Sequence, residues 1–92
     1  MDLVERIASE TKGDFEAGFG MSDGYALGYA VEPARSANGG FGVTLIGKVN
    51  GGLVSQRQTA FQGAAPDALF VSNCKYVAQQ LGASLRAKAD NK

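Results

Sequence analysis

The stretch from Phe41 to Phe61, with Asn50-Gly51-Gly52 at its middle, constrains the fold of this chain most. Phe41, Val43, Leu45 and Val49 alternate with polar or small residues, the period of a half-buried strand. A return segment, Leu53 to Phe61, follows the glycines. Together they predict a β-hairpin. Loops of different lengths would pair the strands differently, and a slip of one residue turns a whole strand over. A two-residue Asn50-Gly51 loop pairs Val43 with Gln58 and Leu45 with Gln56. A three-residue loop, Asn50 to Gly52, pairs Val49 with Leu53, Val43 with Thr59 and Phe41 with Phe61. The second matches apolar with apolar and is the expected register, with a glycine in the left-handed position. The expected core face is then Phe41, Val43, Leu45, Val49, Leu53, Thr59 and Phe61. The expected outward face is Thr44, Ile46, Lys48, Val54, Gln56, Gln58 and Ala60. Arg57, set opposite Leu45, fits this register poorly and is expected to snorkel to the sheet edge.

The flanking segments extend the pattern. Residues 2–12 read as a short amphipathic helix capped by Asp2, with Glu5 three residues on and Gly13 as its stop. Asp14 to Met21 alternates Phe15, Ala17, Phe19 and Met21 with smaller or charged residues, and is read as a strand, with an edge position open to a second copy as one option. Ser22-Asp23-Gly24 is a turn. Tyr25 to Glu32 is another strand, ended by Pro33, with a loop to Gly40. From Pro66, placed for a first helical turn, Phe70, Cys74, Val77, Ala78, Leu81 and Leu85 recur at helical spacing. Gly82 is a candidate kink in that helix. The order is α-β-β-β-β-α, or α-β-β-β-α if 14–21 is irregular. The expected fold is one α+β domain over residues 1–92: a three- to four-stranded antiparallel meander with a short N-terminal helix and a long C-terminal helix packed on it.

Composition narrows the chemistry. With 45% hydrophobic and 20% charged residues, the chain is ordinary for a globular protein. No apolar run reaches membrane-spanning length. A start of Met1-Asp2-Leu3-Val4-Glu5-Arg6 does not resemble a signal peptide, and one cysteine, Cys74, fits a reducing compartment. The expectation is a cytoplasmic protein that needs no cofactor. There is no histidine, which removes the usual neutral-pH base, the Ser-His and Cys-His pairs and most zinc sites. Ser72-Asn73-Cys74-Lys75 matches a Ser-x-x-Lys pattern, but no other motif of such enzymes accompanies it, and Ser72 reads as a helix residue. Cys74 falls on the apolar face and reads as a buried thiol. Asp14 and Glu16 read as a solvated pair. Tyr25 and Tyr29 share a face with Leu27 and Val31 and read as core, with base stacking as the alternative. The chain is not expected to be an enzyme.

Net charge is zero, but it is divided. Residues 1–34 carry seven acidic and two basic residues, net −5, and residues 35–92 carry the reverse, net +5. Such asymmetry marks an interaction surface or two halves that pack together and neutralise each other. Lys48, Gln56, Arg57 and Gln58 put long polar side chains on the hairpin. With Arg35 and Lys75 they form the candidate partner-binding set, suited to phosphate or to an acidic protein surface.

The order helix, sheet, helix is similar to the double-stranded-RNA-binding domain. That family's lysine-rich start of the last helix falls here at Pro66 to Asn73, which contains no lysine and one aspartate. The glycine-rich meander from Gly24 to Phe61, the closing helix from Asp67 to Lys88, the absence of histidine and the split charge also resemble the small phage-encoded anti-CRISPR proteins. That resemblance implies a binding protein that blocks a nucleic-acid-guided host complex by occluding a surface. The partner it implies is a host protein or ribonucleoprotein, with phosphate-backbone contacts and no membrane. The alternative is a module that binds nucleic acid directly through Arg35, Lys48, Arg57 and Lys75.

Overall fold

The computed structural model describes residues 2–21 and 23–91; Ser22 of the expected turn lies outside the described residues. The chain runs α1 (Leu3–Phe19), β1 (Leu27–Arg35), β2 (Phe41–Val49), a short 3-10 turn (Asn50–Gly52), β3 (Val54–Phe61) and α2 (Asp67–Asp90). The strands form one antiparallel sheet in the order β1-β2-β3. This is the expected α+β fold with three strands. Both helices lie on one face of the sheet and pack against each other.

Asp2 caps α1 as expected, its carboxylate accepting the Glu5 N–H at 2.8 Å. The helix does not stop at Gly13, and the strand expected over 14–21 is absent. Alternation over 15, 17, 19 and 21 coincides with a four-residue repeat, Ile7, Thr11, Phe15 and Phe19, and these are the residues α1 buries. The true stop is Gly20, at φ 87°, whose N–H bonds Glu16 O at 3.0 Å. Gly18 is what permits α2 to approach the longer helix: a Cβ there would strike the Gln79 carbonyl of α2. Gly82 is the reciprocal position on α2, where a Cβ would strike Phe15 O and stand 2.7 Å from Phe19 N. It is a point of close helix crossing, not a kink.

β1 continues through Pro33 to Arg35. Asn50 N–H donates to Ala26 O, and Ser36 N–H to Gly40 O. By strand alternation, the even-numbered residues of β1 therefore bond β2, and the odd-numbered ones turn their N–H groups to the free edge. Pro33 is odd-numbered, so its missing N–H costs no ladder bond.

The hairpin register is one residue away from the expected one. Val49 pairs with Val54, Leu45 with Gln58 and Val43 with Ala60, so the loop has four residues, Asn50 to Leu53. Asn50, Gly51 and Gly52 all take positive φ, 53°, 74° and 101°. Asn50 is held there by the residue just before β1: its N–H bonds Ala26 O at 2.7 Å and its side-chain oxygen accepts the Ala26 N–H at 2.9 Å. This shift turns β3 over. Val54 and Ala60 enter the core, while Leu53, Thr59 and Phe61 leave it.

The core lies between sheet and helices and is built from Ile7, Phe15, Phe19, Val43, Leu45, Val49, Val54, Phe70, Leu81 and Leu85 with their neighbours. Gly47 makes the slot for the Phe15 ring, which stacks on Tyr29 at 4.7 Å. Tyr29 bonds Thr11 Oγ1 at 2.6 Å, and Thr11 donates to Ile7 O at 2.6 Å. Burial pushes Tyr29 ionisation up to about 12. The core expectation for this tyrosine is met. At the other end, Arg86 of α2 donates to Phe19 O at 3.3 Å, to Met21 O and to both Asp90 oxygens at 3.1 Å. Its guanidinium lies over the rings of Phe19 and Tyr25. No helix among the described residues is long and apolar enough to cross a membrane.

Candidate interaction surface

With both helices on one side, the opposite face of the sheet carries no covering element among the described residues. Strand alternation decides which side chains stand on it. β1 supplies Gly28, Ala30, Glu32 and Ala34, β2 supplies Gly42, Thr44, Ile46 and Lys48, and β3 supplies Ser55, Arg57, Thr59 and Phe61. Small residues line one flank, so the surface is low over β1 and rises toward β3. There Phe61, 49% exposed, lays its ring over Gly42. Thr44 and Thr59 join side chains across the strands at 3.0 Å. Ile46, between Ala30 and Arg57, is only 5% exposed, closed in by its neighbours.

Two of the six candidate residues, Lys48 and Arg57, meet on this face. Lys48 opposes Ser55, so Arg57 lies one same-face step away on the adjoining strand. Both are exposed, and Glu32, on β1 opposite Thr44, is the single acid on this face among the described residues. The one-residue shift removes Arg57 from opposite Leu45, where it was expected, and gives it a place on the open face, on the edge strand β3 beside Ile46.

The other candidates lie elsewhere. Gln56 and Gln58 face the helix side, not the outward side expected for them. Gln56 Nε2 donates to Ser84 of α2 at 2.8 Å, with Oε1 buried and unpartnered, and Gln58 is exposed at the sheet margin. Arg35 ends β1, its Nη1 3.5 Å from Gly39 O, beside a hollow of about 230 Å³ lined by Pro33, Ala34 and Phe41. Lys75 turns toward α1 and pairs with Asp14 at 3.5 Å. This bridge joins the acidic and basic halves, which do pack together through α1 and α2. Lys75 is thus tied to a carboxylate rather than desolvated beside Ser72, which is exposed.

Cys74 is fully buried, and burial pushes its thiol up to about 11. Among the described residues no three His, Cys, Asp or Glu side chains gather closely enough to hold a metal ion. A larger groove, about 380 Å³, lies where the hairpin meets the end of α2, lined by Leu53, Val54, Ser55, Lys88 and Asn91.

Thr59 and Phe61 belong to the open face and were assigned to the core by the three-residue loop. The signal for the true register was Arg57. A cation forced opposite Leu45 is a local conflict, and placing Phe61 against Gly42 resolves it. Comparison with protein-family models, with curated proteins and with solved structures finds no match to this chain.

Proposed function

We propose that this protein is a non-enzymatic binding protein that works by occluding a surface, through the open sheet face that carries Lys48 and Arg57. The observation that supports it is the gathering of Lys48, Arg57, Thr59 and Phe61 on a face that no helix covers. Two cations, a hydroxyl pair and one prominent aromatic ring suit a mixed polar and apolar protein surface. The partner is a host protein or ribonucleoprotein. In the reading that follows from the resemblance above, it is a nucleic-acid-guided complex of the kind phage inhibitors block.

Capture from a host lysate tests this. The wild-type chain is expected to retain a defined protein or ribonucleoprotein. Lys48→Ala combined with Arg57→Ala is expected to lose it, and Lys75→Ala to keep it. Equal capture by all three chains would sink the assignment to this face.

Direct nucleic-acid binding is the second reading. It is favoured by Phe61 sharing the open face of β3 with Arg57, two same-face steps and about 13 Å along the strand, since a ring can stack a base while a cation further along the strand holds phosphate. Tight binding to bare RNA or DNA at physiological salt, with a steep salt dependence, would select it.

A further inference from the structure

The two free edges of the sheet are unlike. On β1, Pro33 interrupts the row of outward N–H groups. On β3, Gln62 N–H bonds Phe41 O at 2.9 Å, so the even-numbered residues bond β2. Ser55, Arg57, Thr59 and Phe61 then turn their N–H and C=O groups outward. All four are exposed, and no proline interrupts them. A bare edge of this length is a template for another strand.

The helix above that edge adds a second feature. α2 turns Lys75, Gln79, Gly82 and Arg86 toward α1, and Ser84 toward β3. The flank left over carries Leu69, Asn73, Tyr76, Gln80, Ala83 and Ala87, at alternating spacings of four and three. All six are exposed and none is charged; Leu69 and Tyr76 are each 62% exposed. The solvent face of a surface helix ordinarily carries charge, whereas this flank carries none and its residues recur at the four-three spacing of a helix-packing seam.

We infer that β3 and the uncharged flank of α2 together form a two-fold interface with a second copy of this chain, joining two sheets into one of six strands. A free peptide would satisfy the strand edge and leave the helix flank bare; a second copy covers both. The strand has two central registers about a two-fold axis. One sets Arg57 against Arg57 of the second copy, which like-charge repulsion disfavours. The other centres on Gln58 and sets Arg57 beside Thr59, and this is the register we assign.

The groove supports the same register. The Phe41–Phe70 ring contact and the Gln56–Ser84 bond align α2 with β3. Fourteen helical residues and six strand residues both span about 20 Å. The two-fold centre at Gln58 therefore falls near Gln80 on α2. Leu69 at one end then meets the groove lined by Leu53, Lys88 and Asn91 at the other, where Leu53 is itself 71% exposed. The joined sheet also brings both Arg57 side chains onto one continuous open face.

Sedimentation equilibrium of the full chain tests the inference. The wild type is expected at twice the 9.5 kDa chain mass. Thr59→Pro removes one outward N–H and no ladder bond within the chain, and Tyr76→Glu charges the helix flank. Each is expected to weaken the dimer roughly tenfold or more, with far-UV circular dichroism unchanged. A wild-type monomer at the millimolar concentration of an NMR sample overturns the inference. So does a dimer that either variant leaves intact. Tyr76 lies on α2, outside the open sheet face, so Tyr76→Glu separates loss of dimerisation from loss of partner capture.

Discussion

Gly82 of α2 lies against Gly18 of α1, and a Cβ on Gly82 would stand 3.1 Å from the Gly18 carbonyl carbon. The two helices meet backbone to backbone here, because neither carries a side chain to hold them apart. This close crossing brings Phe15 and Phe19 over the sheet beside Leu81 and Leu85.

Gly82→Ala is therefore expected to destabilise the protein, although alanine is the better helix former. Overpacking against Phe15 O costs about 1–3 kcal/mol, set against a propensity gain of about 1 kcal/mol, and backbone cannot swing aside as a side chain can. Gly13→Ala is the matched control. Gly13 is also inside α1, but nothing stands within 4 Å of its Cβ position. That variant is expected to gain up to about 1 kcal/mol. Urea titration of both variants gives opposite signs if the crossing is as described.

Arg86→Ala is expected to cost about 2–3 kcal/mol, since it removes charge-assisted bonds to Phe19 O and Asp90. It also uncovers the rings of Phe19 and Tyr25. Arg86→Lys restores the charge but not the planar fork that spans carbonyl and carboxylate. It is expected to recover less than half of the loss in thermal or urea unfolding.

Stability is expected to fall with alkali. Burial raises the Cys74 thiol from 9.0 to about 11 and the Tyr29 hydroxyl from 10.0 to about 12. Both groups hold their proton more tightly when folded. Their contribution is intact below pH 9 and is lost as pH rises, through about 11 for Cys74 and about 12 for Tyr29. Cys74→Ala should flatten the dependence between pH 9 and 11 while leaving the tyrosine limb. Ellman's reagent should modify Cys74 only at the rate of unfolding.

Arg57→Ala is expected to change stability by less than about 0.5 kcal/mol, because Arg57 is exposed and forms no ion pair among the described residues. Its effect should appear in partner capture. Gln56→Ala should do the reverse, costing about 1 kcal/mol through the lost Ser84 bond and leaving capture intact. Equilibrium unfolding alongside capture separates the two.

Much of this fold was legible in the residues alone. The Asp2 cap, the alternation of β2, the apolar stripe of α2 and the buried Cys74 each follow from local spacing and chemistry. The candidate surface was legible only in part. Lys48 and Arg57 do share a face, but Gln56, Gln58, Arg35 and Lys75 do not join them.

Local pattern determined the order of elements and which face of β2 and α2 is apolar. It did not separate a strand from a helix at Phe15 and Phe19, because residues two apart twice are also residues four apart. That choice was made by packing: a helix buries Phe15 and Phe19 together with Ile7 and Thr11, and sets Gly18 at the close crossing with α2. Nor did pattern determine the hairpin register. Loops of three and four residues both suit Asn50-Gly51-Gly52, and the bonds between Asn50 and Ala26 select the longer one. A single residue of register then decided whether Gln58 or Arg57 stands on the open face, since side chains alternate along a strand. Contacts between residues distant in the chain carried both decisions, and no local window contains them.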